Sequence, residues 1–221
     1  MLEAAGVNLP VSKRAALPDR LRAFDGIPSS LCRVKRGHSL FRAGDRFSAI
    51  YAVRFGCFKT FSANDHGIRQ VTGFALPADV FGFEGIGSGH MRVTAVALEE
   101  SEVVVLPFAG VERVARCNRA VQKELHALMS RQIAREQGVM IMLRSCARAR
   151  LAAFLISLSR RYQQLGYSAS EFQLRMTRAD IGSALGMQIE TVSRTLTMLA
   201  DEGLIEVHDK HIRLVDIARL G

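Results

Sequence analysis

The sequence lacks the features of a membrane or secreted protein. No apolar run reaches the roughly 18 residues that a membrane-spanning helix needs. No charged segment followed by an apolar stretch marks a signal peptide at the N-terminus. Hydrophobic residues nevertheless make up 48% of the chain, which is enough for a packed core. We therefore expect a folded cytoplasmic protein without a membrane partner.

Cysteine is scarce, and signatures of catalysis are missing. No C-x-x-C pair occurs, which excludes zinc-knuckle and thioredoxin-type motifs and predicts free thiols at the four cysteines: Cys32, Cys57, Cys117 and Cys146. The motifs G-x-S-x-G, H-E-x-x-H and G-x-x-x-x-G-K followed by Ser or Thr do not occur either. We predict no enzyme, no catalytic residue and no metal site.

The composition and the hydrophobic pattern of the chain change along its length and predict four segments. Residues 1–30 hold three of the five prolines and are expected to form a loose arm with a short helix near Pro18–Phe24. Residues 31–110 form a β domain, residues 111–145 a long helix, and residues 146–221 a winged helix-turn-helix domain. The predicted fold class is therefore α+β.

Glycine turns separate short β-rich runs in the second segment, which is the pattern of an antiparallel sandwich or barrel. Six strands are predicted: Ser39–Phe41, Ile50–Val53, Cys57–Phe61, Arg69–Phe74, Val93–Leu98 and Val103–Leu106.

Residues 111–143 contain no proline and predict one helix of about 30 residues. A stripe at steps of four, three, four and three runs along it: Met129, Ile133, Glu136, Met140 and Leu143. Such a stripe predicts pairing with the same helix of a second copy, hence a homodimer. The alternative is a helix lying across its own β domain. Glu136 would face its symmetry mate, where like charges repel, or point outward.

Residues 176–204 have the pattern of a helix-turn-helix. Thr177 and Asp180 form a capping box that starts a helix at Arg178, and Gly186 ends it in a tight turn. A second helix over 189–200 follows, with apolar steps at Ile189, Val192, Leu196 and Leu199. Another helix, over 147–165, precedes the motif, and a hairpin wing over 204–215 follows it.

The outward face of the second helix carries groups that recognise base edges. Arginine donates two bonds to guanine, and glutamate accepts one from cytosine. Lys210 at the tip of the wing can meet a phosphate. The excess of 30 basic over 21 acidic residues also suits a polyanion. The sequence thus predicts double-stranded DNA as the partner and these contacting residues: Arg178, Gln188, Glu190, Thr191, Ser193, Arg194 and Lys210.

At these residues the chain resembles the Crp/Fnr transcription regulators. The similarity extends over about residues 30–215. Its most specific parts are T-R-A-D-I-G-S-A-L-G (177–186) and E-T-V-S-R (190–194). Further matches are L-F-R-A-G-D (40–45), G-F-E-G-I-G-S-G-H (82–90), R-L-A-A-F (150–154) and L-S-R-R-Y (158–162). The resemblance is greatest to the fumarate–nitrate reduction branch. It implies a β-roll, a long dimer helix and a winged helix.

The resemblance also implies specific contacts. Glu190, Ser193 and Arg194 match the base-reading residues of the family. Ile189 stands where the cyclic AMP branch has arginine, which favours a TTGAT-N4-ATCAA-like palindrome over a TGTGA-like half-site. Gln188 replaces the usual Ser or Thr. The loop Ala63–Arg69 is similar to one that contacts RNA polymerase, and an activator is expected.

The signal that the protein senses stays open at this stage. Members of that branch bind an iron–sulfur cluster through closely spaced cysteines before the β-roll and one further cysteine inside it. Here no cysteine precedes Cys32, and Val104 stands at the internal cysteine position. The nucleotide-binding loop of the family begins with G-E and is followed by an adjacent R-S or R-T pair. Here Phe83 follows Gly82, the acid is Glu84, and Arg92 and Thr94 are not adjacent. An iron–sulfur cluster and cyclic AMP are therefore disfavoured.

Several alternatives remain. Haem could bind through a cysteine or through one of His38, His66, His90 and His126. Thiol chemistry could occur at Cys57, Cys117 or Cys146, or there could be no ligand at all. No cofactor is predicted. A different class of function is a ligand- or redox-sensing module whose helix-turn-helix serves protein contacts.

Overall fold

The computed structural model describes residues 19–63 and 67–221. It divides into two compact units, residues 1–133 and 134–221. The boundary between the units falls inside a helix and does not coincide with any of the four segment boundaries inferred from sequence. Those four segments therefore stay a prediction. Among the described helices, none combines the length and apolar composition of a membrane span.

The described part of the first unit contains eight strands arranged in two antiparallel sheets. They are β1 (Ser30–Val34), β2 (Ser39–Phe41), β3 (Ala49–Phe55), β4 (Phe58–Ala63), β5 (Arg69–Ala75), β6 (Val80–Phe81), β7 (Thr94–Ala97) and β8 (Ser101–Pro107). The first sheet has the order β1-β8-β3-β6 and the second β2-β7-β4-β5. The six predicted strands are confirmed, whereas β1 and the two-residue β6 were not predicted.

The first sheet buries both of its faces. On β3, Tyr51 and Val53 face the second sheet, while Ile50 and Ala52 face a helical layer. All four are at most 8% exposed. A strand buried on both faces is apolar throughout instead of alternating, which explains the continuous apolar runs of β3 and β8.

The segment before β1 is packed, not loose. A 3-10 helix over Asp19–Phe24 places Leu21 and Phe24 against the helical side of the first sheet, and Ile27 joins them. These three side chains are at most 3% exposed. The predicted short helix is thus present as a 3-10 helix over Asp19–Phe24. The looseness expected of the arm is wrong for residues 21–27, because apolar burial fixes them. Residues 1–18 lie outside the described part of the chain.

The predicted single helix is in fact two helices, α1 (Phe108–Cys117) and α2 (Arg119–Met142). Asn118 separates them in an extended conformation. Its side-chain oxygen accepts hydrogen bonds from the backbone N–H of Ala120 and Val121, at 3.0 and 3.4 Å. The prediction was wrong because an asparagine side chain can cap the start of a new helix. Asn118 does so here, and it thereby ends α1 and begins α2.

The second unit contains the predicted helix-turn-helix. Its elements are α3 (Ala147–Gln164), β9 (Glu171–Gln173), α4 (Arg178–Leu185), α5 (Ile189–Asp201), β10 (Ile205–His208), β11 (His211–Leu214) and α6 (Ile217–Leu220). The capping box of Thr177 and Asp180 is confirmed. The wing hairpin is confirmed too, and β9 extends it into a sheet of order β10-β11-β9 that was not predicted.

The turn between α4 and α5 is tight because two glycines permit it. Gly186 ends α4 in the left-handed region, at φ 61°. The N–H of Met187 then donates to the carbonyl of Gly182 at 2.8 Å. A Cβ on Gly182 would lie 2.6 Å from the Met187 carbonyl oxygen, closer than real contacts allow.

We expect Gly182→Ala to lower the free energy of unfolding of the second unit by about 1–3 kcal/mol, because the turn must move away from the added methyl group. Gly138→Ala is the control: this α2 glycine has open space around its Cβ position. Alanine there should stabilise by up to about 1 kcal/mol. Urea denaturation measures the free energy of unfolding of both variants. Equal changes in the two variants would contradict this account of the turn.

A buried carboxylate ties three strands of the first sheet together. Glu102 of β8 is 2% exposed and accepts hydrogen bonds from Arg33 Nε of β1 at 2.8 Å and Arg54 Nη1 of β3 at 2.7 Å. Burial by itself would raise the pKa of Glu102, but the hydrogen bonds and charges of the two arginines outweigh burial and hold the pKa below its ordinary value.

We expect Glu102→Gln to lower the free energy of unfolding at neutral pH by about 1–3 kcal/mol. A carboxylate whose pKa is lowered in the folded state stabilises above its unfolded pKa, about 4.3, and loses that contribution as pH falls through the folded pKa. Denaturation of both proteins between about pH 7 and pH 3 should show a difference that shrinks in acid. A difference independent of pH would contradict this account.

Candidate nucleic-acid interface

Helix α5 has one buried face and one exposed face. Val192, Leu196 and Leu199 are at most 3% exposed and pack into the second unit. Ile189 was predicted to join them, but it is 45% exposed. It is the first residue of the helix, so the turn before it supplies no neighbour that would cover its side chain.

The predicted base-reading residues lie on the opposite face of α5. Glu190 and Arg194 are exposed, and Thr191 and Ser193 are half-buried. Gln188 is the N-cap residue, but its side chain makes no capping hydrogen bond. The helix therefore presents one acidic and one basic side chain, one turn apart, with hydroxyl groups beside them.

Arg178 and Ser193 come together across the two helices. Arg178 Nη1 donates to the Ser193 hydroxyl at 3.2 Å, and that hydroxyl donates to the carbonyl of Ile189 at 3.1 Å. The start of α4 and the exposed face of α5 thus form one continuous polar surface. The sequence had assigned both residues to DNA, but their mutual contact was not predicted.

Lys210 lies in the two-residue turn of the β10–β11 hairpin. Asp209 before it has a φ of 55°. The backbone carbonyl of Lys210 accepts a hydrogen bond from the N–H of Leu174 at 2.7 Å, which ties the tip of the wing to the segment after β9. The lysine is half-buried.

Sequence reasoning missed one residue that contacts the turn of the helix-turn-helix. Arg150 of α3 reaches the carbonyl oxygens of Leu185 and Gly186 at 2.8 and 3.1 Å. Arg150 belongs to the motif R-L-A-A-F (150–154), but neither periodicity nor motif spacing assigns it a role.

The stripe on α2 divides into two parts with different surroundings. Val121, Leu125 and Leu128 are buried against the helical side of the first sheet, and Met129 is partly buried there. The next apolar residues are exposed: Ile133 by 56%, Met140 by 70%, Ile141 by 72% and Leu143 by 39%. Glu136 between them is exposed as well. The alternative of a helix lying on its own β domain thus holds only for the first part.

The cysteines do not fit an iron–sulfur cluster. All four fall within the described residues: Cys32 and Cys57 are buried, and Cys117 and Cys146 are exposed. Val104 faces the helical layer, whereas Cys32 faces the interior between the sheets. Within the described chain, no three His, Cys, Asp or Glu side chains are grouped to hold a metal ion. A four-thiolate cluster needs its donors in one group, and Cys32 and Cys57 are buried whereas Cys117 and Cys146 are exposed.

Aromatic side chains pack in the interior of the first unit, next to Gly82 at the start of the loop 82–90. Phe41, Tyr51, Phe58 and Phe81 fill the space between the sheets, with ring centroids 5.1–5.9 Å apart. The Thr94 hydroxyl accepts a hydrogen bond from the N–H of Ala43 at 3.1 Å. Cyclic AMP stays disfavoured on the sequence of the loop, where Phe83 follows Gly82 and the carboxylate is at Glu84.

Three of the candidate haem-ligating histidines lie at the surface. His38 and His90 are exposed and contact the backbone carbonyls of Arg36 and Ser88, at 3.2 and 3.3 Å. His126 is exposed on α2. An apolar cofactor needs a largely enclosed site. His66 lies outside the described residues.

Comparison with known proteins matches both units. Residues 31–117 match the family model of the cyclic nucleotide-binding domain, and residues 149–221 match the Crp-like helix-turn-helix domain. Among solved structures, FixK2 from Bradyrhizobium japonicum is similar with a TM-score of 0.79 and 28% identity, covering 87% of this chain and 95% of that one.

Two curated relatives extend this similarity over most of the chain. The transcriptional activator protein FnrA of Stutzerimonas stutzeri is 39% identical over 213 residues, 96% of this chain and 86% of the relative. The fumarate and nitrate reduction regulatory protein of Escherichia coli is 40% identical over 195 residues, 88% of this chain and 78% of the relative. Both are named as regulators rather than as enzymes. The chain therefore belongs to the Crp/Fnr family of transcription regulators, with a helix-turn-helix DNA-binding domain.

Proposed function

We propose that the protein is a sequence-specific regulator that binds a TTGAT-N4-ATCAA-like palindrome as a homodimer. The observation that carries this proposal is the exposed face of α5, where Glu190 and Arg194 project beside Ser193. Arg194 would donate to guanine O6 and N7, and Glu190 would accept from cytosine N4. Arg178, Gln188, Thr191 and Lys210 would hold the helix in register through phosphate and sugar contacts.

The alternative is a sensing module whose helix-turn-helix contacts a protein. The chemistry of the surface favours DNA. Arg178, Arg194 and Lys210 put basic groups on α4, α5 and the wing, and the whole chain carries a net charge of +9. A surface with this distribution of basic groups attracts a polyanion and provides phosphate contacts on both sides of a reading helix.

We expect Arg194→Ala to weaken binding to the palindrome by about 1–3 kcal/mol per half-site and to relax the choice at guanine. Lys210→Ala is the matched comparison, because it removes a positive charge from a residue assigned to a phosphate. It should weaken all sequences alike and lower the salt slope by about one. Gel-shift titrations at several salt concentrations measure both effects.

Binding of wild-type protein to scrambled duplex with the same affinity would refute sequence-specific recognition and favour the protein-contact alternative. If Arg194→Ala and wild type discriminate equally at guanine, the assignment of Arg194 to guanine is refuted, but sequence-specific recognition is not.

The dimer is proposed to form through the exposed part of the α2 stripe. Ile133, Met140 and Leu143 recur at helical spacing and are 39–70% exposed. Exposed apolar groups in one stripe on a helix are stabilised by a matching helix of a second copy. Ile141 extends the apolar surface, while Met129 contributes at its partly buried end. Glu136 would face its symmetry mate across the pairing.

We expect Met140→Lys to weaken the dimer at least about ten-fold, because each burial of a methionine contributes roughly 1.5–3 kcal/mol. Glu136→Ala should strengthen it by removing a like-charge contact. Sedimentation over a range of concentrations measures both, with Gly138→Ala as the control on the same helix. A sedimentation profile unchanged by both substitutions would exclude this interface.

An activating contact with RNA polymerase is proposed for the loop 63–69, from its resemblance to the family loop. Ile68 at its end is 65% exposed, and Arg69 stacks its guanidinium over the Phe61 ring at 5.2 Å. Residues 64–66 of this loop are not described. The names of the relatives as activators agree with this role.

A further inference from the structure

We propose that Arg150 is a positioning residue that sets the spacing at which the protein reads two half-sites. The inference rests on the proposed function and adds a residue that does not itself lie on the reading face. One guanidinium joins the connection between α2 and α3 to the turn of the helix-turn-helix.

The Arg150 side chain makes three hydrogen bonds with backbone carbonyl groups in two segments. Its Nε donates to Ser145 at 2.9 Å, and its Nη1 donates to Leu185 at 2.8 Å and Gly186 at 3.1 Å. The last carbonyl groups of a helix lack partners within the helix and carry partial negative charge, so a cation at the end of α4 is favoured. Lysine cannot reproduce this arrangement, because a guanidinium holds its donors in a fixed plane.

The Ser145 end of this bridge is tied to α2. The N–H of Ser145 donates to the carbonyl of Met142 at 3.0 Å, and the N–H of Leu143 donates to that of Val139 at 3.0 Å. At the other end, the position of a Cβ on Gly186 lies 3.5 Å from Arg150 Nη1 and 3.6 Å from Leu143 Cδ2. The three hydrogen bonds of Arg150 therefore hold the turn against this connection, and the Leu143 side chain lies beside Gly186.

This bridge has a consequence for a dimer on DNA. If α2 pairs two copies, the distance between their recognition helices depends on how firmly each turn is held to the end of its α2. Recognition of one half-site does not depend on that distance, whereas recognition of two at a fixed spacing does. Arg150 should thus affect the choice of spacer more than the choice of base.

The test compares wild type, Arg150→Ala and Arg150→Lys on TTGAT and ATCAA half-sites separated by three, four or five base pairs, and on a single half-site. Arg160→Ala removes a charge from an exposed residue of the same helix as the control. We expect wild type and Arg160→Ala to prefer one spacer, and Arg150→Ala to lose about ten-fold of that preference. Single half-site binding should be unchanged, and Arg150→Lys should be intermediate.

A proportional loss on all duplexes would indicate a general folding defect and overturn the proposal, as would a retained spacer preference in Arg150→Ala. Hydrogen exchange of the free protein gives a readout that does not need DNA. Arg150→Ala should raise exchange in residues 143–146 and 186–188 together, and unchanged exchange in either segment overturns the bridge. If wild type ignores the TTGAT sequence while exchange changes as expected, the proposed function fails and the bridge stands.

Discussion

The close approach of the Met187 carbonyl to Gly182 is the constraint on which the exposed polar face of α5 depends. It lets the chain reverse within three residues, so that α5 packs its apolar face beside α4 and turns Glu190 and Arg194 outward. A side chain at position 182 would separate the helices, and the hydrogen bond from Arg178 to Ser193 would then lose its geometry. The surface proposed to recognise bases thus depends on a backbone contact outside that surface.

The first unit achieves its stability in a different way. Its central sheet is covered on one face by the second sheet and on the other by helices, so that most of β3 and β8 is removed from water. The charged Glu102 is accommodated at the end of β8 because two arginines approach it from neighbouring strands. Aromatic rings fill the space between its two sheets.

Much of this arrangement could be predicted from sequence because its signals are local. The capping box at Thr177, the glycine at 186 and the short strands between glycine turns each follow from a few adjacent residues. The break at Asn118 was missed because asparagine is compatible with both a helix interior and a helix start. The packing of residues 21–27 and the bridge from Arg150 involve partners distant in sequence, which periodicity cannot identify. The exposure of Ile189 depends on the turn before it.

Helix α2 has a buried first part and an exposed second part, and different contacts limit which residues each part can accept. Substitutions near Leu125 are limited by the protein's own core, whereas substitutions near Met140 are limited only by whatever lies opposite. Related regulators in one cell could therefore diverge in the choice of mate by altering a few residues there, without disturbing the β domain. Such a helix would let duplicated genes produce proteins that do not form mixed pairs.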